Sequence, residues 1–244
     1  MRRPLLANID DAIAENLVSI RISDIKKPFN EQPEIKDQGI SKQNVAFEKN
    51  FPKSLIFKGV SNSTMTTRRH KELILYDGFM MQRLFNTMIN ENESNTNHIH
   101  IVFEDRLICT FSEEDWRYHA RTIVGGNPSI ISTTGIVEAP AKPKEWYMKQ
   151  MQSATYGIDP DDDNYETSNK KKYLDYGDYR INFIAVGYVL QVIFFFITEG
   201  DPFCSDSNCR LYNSHWQEEL IHSQIETETL CNKHATLLRK FNAV

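Results

Sequence analysis

The chain has 244 residues, 40% hydrophobic and 25% charged, enough to bury a substantial core in one large domain or two small ones. Its net charge of −5 argues against a nucleic-acid binder, because neutralising phosphates takes clustered Lys and Arg. The opening Met1-Arg-Arg-Pro-Leu-Leu-Ala-Asn8 reaches Asp10 and Asp11 before an apolar stretch of signal length develops, so no secretory leader is expected.

Residues 16–23 alternate apolar and polar with Val18, Ile20 and Ile22 on one side, which predicts a half-buried strand. Residues 24–66, rich in Lys, Asn, Gln, Ser and Pro, show no sustained period and read as an irregular excursion. A short strand is expected at 72–76, a turn at Asp77 and Gly78, an amphipathic helix over 79–89 and a polar loop over 90–97. Segments 98–103 and 106–111 alternate again, and Glu104-Asp105 between them suits a hairpin or a tight strand-to-strand corner. His98 and His100 share one strand face, where a surface or core-edge role accounts for them, as it does for His119.

Ser112 followed by Asp115 has the form of a capping box that starts a helical turn. Residues 121–124 read as a strand broken by Gly125-Gly126-Asn127-Pro128, and 129–137 as a strand or an extended loop. Pro140 and Pro143 forbid a helix there, and one resumes at Lys144 through Trp146, Tyr147 and Met151. The acidic stretch within 157–177 reads as an irregular loop. Asp159, Asp161 and Asp163 mimic the start of a calcium loop but lack its sixth-position Gly and twelfth-position Glu. A long apolar helix over 179–198 follows, stopped by Glu199-Gly-Asp-Pro202. It is short for a membrane crossing and interrupted by Asn182, Gly187 and Gln191, so it is expected at the centre of a core, not in a membrane.

The chemistry concentrates after that helix. Cys204-x4-Cys209, then 21 residues, then Cys231-x2-His234 gathers three of the four cysteines and one imidazole within the last 41 positions. Thiolate and imidazole are the ligands tetrahedral zinc prefers, and a site with four protein ligands holds structure and leaves no open position for catalysis. Buried thiols or disulfide partners are the plain alternative, and Cys109 reads as a strand residue. The spacing does not fit a two-Cys two-His finger.

An apolar helix running into Cys-x4-Cys with a late Cys-x2-His resembles the C-terminal half of the archaemetzincins, over roughly residues 72–244. Residues 129–143 and 209–219 resemble an uncharacterised archaeal branch described as metallopeptidases. The resemblance implies a mixed α+β fold: a zincin-like twisted mixed sheet flanked by helices (1–200), with a small zinc-stapled C-terminal segment (201–244). It also implies zinc as cofactor and a structural zinc site at Cys204, Cys209, Cys231 and His234, with His in place of the family's last Cys. With the cysteines aligned, the three catalytic histidine positions of His-Glu-x-x-His-x-x-Gly-x-x-His fall on Ile193, Ile197 and Phe203, the glutamate on Phe194, and the Met-turn methionine on Leu211. None of these can hold zinc or move a proton, so the ordinary mechanism of zinc-activated water and a glutamate base has no residues here.

Two functions follow. One is a degenerate cytoplasmic peptidase homologue that binds or regulates a protein or peptide partner, with no nucleic acid or membrane involved. The other is an active zinc hydrolase with a displaced centre. For the latter, His215, Glu219 and His222 stand at i, i+4 and i+7, which on a helix places all three on one side as a second metal shell. Glu218 and Glu219 are then the candidate catalytic carboxylates. Salt-bridge or capping roles on a solvated helix would explain the same residues.

Overall fold

The structure, a computed structural model, describes residues 17–21, 74–95, 97–156 and 172–243. The expected excursion at 24–66 and the Asp159, Asp161 and Asp163 segment lie outside the described residues.

Strand β1 (Leu17–Arg21) is followed by β2 (Leu75–Asp77), helix α1 (Gly78–Asn86), β3 (His98–Glu104), β4 (Leu107–Ser112), β5 (Arg117–Arg121), β6 (Ile123–Val124) and β7 (Ser129–Ser132). Helices α2 (Thr133–Glu138), α3 (Lys144–Tyr156), α4 (Arg180–Ile197), α5 (Gln217–Ile221) and α6 (Asn232–Ala243) complete the described elements, with a π-helical stretch, His222–Thr227, continuing α5. The class is mixed α+β, with the strands in two small mixed sheets. One runs β1-β3-β7-β6, with β3 and β7 parallel and both edge pairs antiparallel. The other runs β2-β4-β5, parallel then antiparallel.

Glu104-Asp105 is the corner between the two sheets and not a hairpin, since β3 and β4 belong to different sheets. The Glu104 carboxylate accepts from Arg106 N at 3.0 Å and from its guanidinium at 3.0 and 3.1 Å, which folds the chain tightly over two residues. Burial first, and an Asp105 hydrogen bond second, push the Glu104 carboxyl above the ordinary carboxylate range, while Arg106 pulls it back. The segment after Ser112 is a hairpin turn and not a helical one: Ser112 pairs with Arg117, and Trp116 takes a left-handed φ of 54°. The edge-on rings of Phe111, Trp116 and Tyr118 cover that hairpin.

Residues 129–137 divide at Ser132. Its hydroxyl accepts from Gly135 N at 2.8 Å, capping α2, and donates to Arg106 O at 2.7 Å. Thr133 and Thr134 hydroxyls donate to the corner carbonyls of Glu104 and Asp105. These tertiary bonds override the extended preference of the β-branched pair. Ser132→Ala is expected to cost about 1–2 kcal/mol, because it removes a helix cap and takes the hydroxyl donor from the Arg106 carbonyl. Urea unfolding measures it, and an unchanged midpoint would refute the cap.

Helix α4 is the centre of the molecule. Ile184, Ala185, Tyr188, Val189, Val192 and Ile193 pack on Ile99, Ile101, Phe103 and Ile131 of the first sheet, joined by Ile136, Leu220 and Ile221. The helix is 18 residues long with mean hydropathy 1.9, enough by length and composition to cross a membrane, but 61% of it is buried inside the protein. Its second half supports a separate apolar cluster in which Leu190 and Phe194 meet Cys204, Cys209, Leu211 and Leu230. Within 172–177 the chain is turns, and Leu174 is fully buried with its N–H donating to Gln217 Oε1 at 2.8 Å.

Candidate metal centre

Helix α4 ends at Thr198, and Gly200 takes a φ of +116°, a conformation glycine adopts without strain, so the chain reverses beside the helix end. That return seats the Cys204–Cys209 loop against Phe194. Cys204 N donates to Leu211 O at 2.8 Å and Cys209 N to Asp206 O at 3.0 Å, closing the loop on itself. Cys231 directly precedes α6, and His234 sits in its first turn, 2% exposed, with its ring edge-on to Phe194 at 5.5 Å.

The Sγ atoms of Cys204, Cys209 and Cys231 and a ring nitrogen of His234 all lie within 4.8 Å of one another. Cys204 Sγ and Cys231 Sγ are 3.9 Å apart, and Cys209 Sγ lies 3.6 Å from His234 Nδ1. A zinc tetrahedron with sulfur at about 2.3 Å and nitrogen at about 2.05 Å has edges of about 3.8 Å between sulfurs and about 3.6 Å between sulfur and nitrogen. Both separations match, while Cys231 Sγ to His234 Nδ1, at 3.1 Å, is shorter. The sulfurs are far outside disulfide distance, and all four cysteines are free. Backbone N–H groups aim at two of the sulfurs: Asp206 N at Cys204 Sγ and Cys231 N at Cys209 Sγ, each 3.4 Å. Such bonds favour thiolates.

Burial alone works the other way. It pushes the Cys209 thiol up to about 12, raises that of Cys204 and lowers the His234 imidazole. On Cys231 burial is the largest single influence, but the backbone and side-chain bonds from His234, Cys209 and Cys204 together bring its thiol down. A divalent cation is what makes three closely packed sulfurs electrostatically tolerable as thiolates. The donor set therefore fits a metal ion.

Sequence reasoning missed Arg210 and Gln224, which anchor this loop. Arg210 is 2% exposed; its Nε donates to Gln224 Oε1 at 3.4 Å and one terminal nitrogen to Phe183 O at 3.1 Å. Gln224 Nε2 returns a bond to Arg210 O at 2.7 Å. An arginine between two inward-facing residues, Cys209 and Leu211, was the available signal.

The other proposed shell is not assembled. Helix α5 begins at Gln217, so His215 precedes it, and His222 opens the π-helical stretch. The three residues therefore do not share one helix face. Glu219 Oε2 accepts from His215 N at 2.9 Å and Trp216 N at 3.1 Å, an N-terminal cap. His222 is held by Glu226 at 2.9 Å and Asn208 at 3.1 Å. Glu218 faces Lys172 at 2.8 Å and Tyr173 at 3.2 Å, and the Lys172 contact holds its carboxyl below the usual range. Among the described residues, the quartet is the one group of three or more His, Cys, Asp or Glu donors gathered closely enough for an ion. Glu219→Ala is expected to cost about 1 kcal/mol through the lost cap and leave the metal content unchanged. Metal analysis of the purified variant checks it.

Ile193 and Ile197 line a cavity of about 420 Å³ together with Ile99, Phe195, Phe196, Glu199 and Phe241. Phe203 lies at a different cavity, of about 130 Å³, beside Tyr188, Gln191, Arg121 and His215. The three positions therefore do not converge on one point.

A family model described as "Probable metallopeptidase family (DUF6775)" matches residues 1–241. No curated protein and no solved structure matches the chain.

Proposed function

The chain belongs to this probable metallopeptidase family, and from that premise we propose that it is an archaemetzincin-like zinc protein whose metal is structural and whose standard peptidase centre has degenerated. Cys204, Cys209, Cys231 and His234 would hold the zinc, which when bound supplies a closed tetrahedral crosslink and no open coordination position. The gathering of these four donors within 4.8 Å carries the reading. The apolar residues at 193, 194 and 197 support the loss of hydrolysis, since neither a metal ligand nor a proton carrier stands there.

The protein would instead bind a protein or peptide partner, and the cavity of about 420 Å³ lined by Ile193, Ile197 and Phe196 suits an apolar side chain. Free cysteines at all four positions suit a reducing compartment such as the cytoplasm.

Elemental analysis together with a peptide-library cleavage screen, run with and without chelator, tests the proposal. The expected result is zinc lost on substitution of the quartet and no chelator-sensitive cleavage. Cleavage that chelator stops and His215→Ala abolishes would overturn the structural reading in favour of a working hydrolase.

A further inference from the structure

Of the ten buried residues of α4, only Tyr188 and Gln191 carry polar side-chain atoms. They stand one turn apart on the same side of the helix, and both line the cavity of about 130 Å³. Gln191 is 2% exposed, and its Oε1 is buried with no hydrogen-bond partner. A buried acceptor without a donor is disfavoured, so an orphan carbonyl on a cavity wall marks a place where a donor is received. Exchanging the amide oxygen and nitrogen would orphan N–H groups instead, and the demand for a polar partner stands either way.

The rest of the lining narrows the chemistry of that partner. The Thr122 hydroxyl donates to Gly135 O at 3.0 Å, so it has no proton left for the cavity. Tyr188 turns its hydroxyl to Thr122, and burial pushes its pKa up to about 12, which keeps it protonated and neutral. The Tyr188 oxygen and Gln191 Oε1 therefore offer lone pairs to an entering group. No Asp or Glu lines the cavity, while Arg121 and His215 stand exposed on its rim. A cation entering there would meet the Arg121 guanidinium with no carboxylate to balance it, and a carboxylate would bring no N–H to the inner wall. A hydroxyl supplies a single proton. A neutral carboxamide carries a pair of N–H donors on one nitrogen and a carbonyl that can accept from Gln191 Nε2. The space, that of about four liquid waters, suits a side-chain amide with its methylene stem.

We propose that this cavity is a recognition pocket for the side-chain carboxamide of an asparagine or glutamine in a peptide partner, with Gln191 as the residue that reads it. The choice of a peptide rests on the binding role proposed above, whereas the amide follows from the cavity itself. The pocket shares no residue with the quartet or with the cavity of about 420 Å³.

NMR titration of the isotopically labelled full chain with N-acetyl-L-glutamine N-methylamide, and with its glutamate counterpart, tests it. The expected result is a shift of the Gln191 side-chain amide signal, identified by its absence in Gln191→Met. The glutamine probe should bind at least about tenfold tighter than the glutamate probe, whose carboxylate leaves the orphan acceptor unmet. Gln191→Met should remove that preference and melt no lower than the parent, because no hydrogen bond goes with the amide. Ala139→Leu, which adds bulk to the cavity wall, should weaken the glutamine probe with Gln191 intact. No binding of the glutamine probe, as in a cavity that holds water alone, overturns the pocket. So does equal binding of both probes, a preference that survives Gln191→Met, or a clear drop in that variant's melting temperature, which would show the amide already satisfied. Such a failure is read from the probes and is distinct from failure of the degenerate-peptidase reading, which elemental analysis and the cleavage screen report.

Discussion

Cys209→Ser is expected to release the zinc proposed for the quartet and lower the melting temperature by about 10 °C. The effect follows from linkage: a ligand at a thousand times its dissociation constant stabilises the folded state by about 4 kcal/mol. For a chain of 150–250 residues each kcal/mol is worth about 2–4 °C. Binding free energies for structural zinc in small peptides, about 10–16 kcal/mol, make the estimate a conservative one. The unfolding should begin locally. Cys209 is fully buried in the small cluster of Leu190, Phe194, Leu211 and Leu230, which seats the Cys204–Cys209 loop and the start of α6 on the helix end. Hydrogen exchange should therefore rise first in α6 and the Cys204–Cys209 loop, with the Ile99, Ile101 and Ile131 core still protected. A variant that keeps its zinc, or melts within about 2 °C of the parent, would sink the structural role.

Gly187→Ala is expected to destabilise by about 2–4 kcal/mol, although alanine is normally about 1 kcal/mol better than glycine inside a helix. A Cβ at position 187 would lie 1.7 Å from Gln224 Oε1 and 2.6 Å from its Cδ. Gln224 cannot step aside cheaply, because it is fully buried and bonded at both ends of its amide to Arg210. Moving it would leave a buried guanidinium and a buried carbonyl short of partners, a cost comparable to the clash itself. The double variant Gly187→Ala/Gln224→Ala should lose less than the sum of its singles, since the first loss is partly the second. Thermal and urea unfolding read both quantities, and a single variant as stable as the parent would refute the close packing.

The features read directly from the chain are those with a local cause. Alternation in β1, β3 and β4 and the apolar surface of α4 follow from side-chain period and hydropathy, which neighbours in sequence determine. The Cys and His spacing was legible because few residue types bind metals and any loop bringing them together leaves that pattern. What escaped depends on distant partners. The Ser112 turn looks like a helix start, yet pairing of β4 with β5 makes it a hairpin. The run from Ser129 reads as extended until the Glu104-Asp105 carbonyls claim the threonine hydroxyls. His215, Glu219 and His222 looked like one helix face because the spacing says nothing of where the helix begins, and Glu219 is spent on capping it. Gln191 and Gly187 interrupt the apolar run of the sequence, but Gly187 is the gap into which Gln224 fits.

The quartet also changes what the covalent chain has to do. Cys209 and Cys231 bracket 21 residues, and the same ion would join both brackets. A backbone cut after Glu226, which is exposed in that interval, would thus yield two polypeptides that travel as one particle while the ion is bound. They would part when it is withdrawn, making the tail a fragment tethered by coordination instead of by peptide bonds.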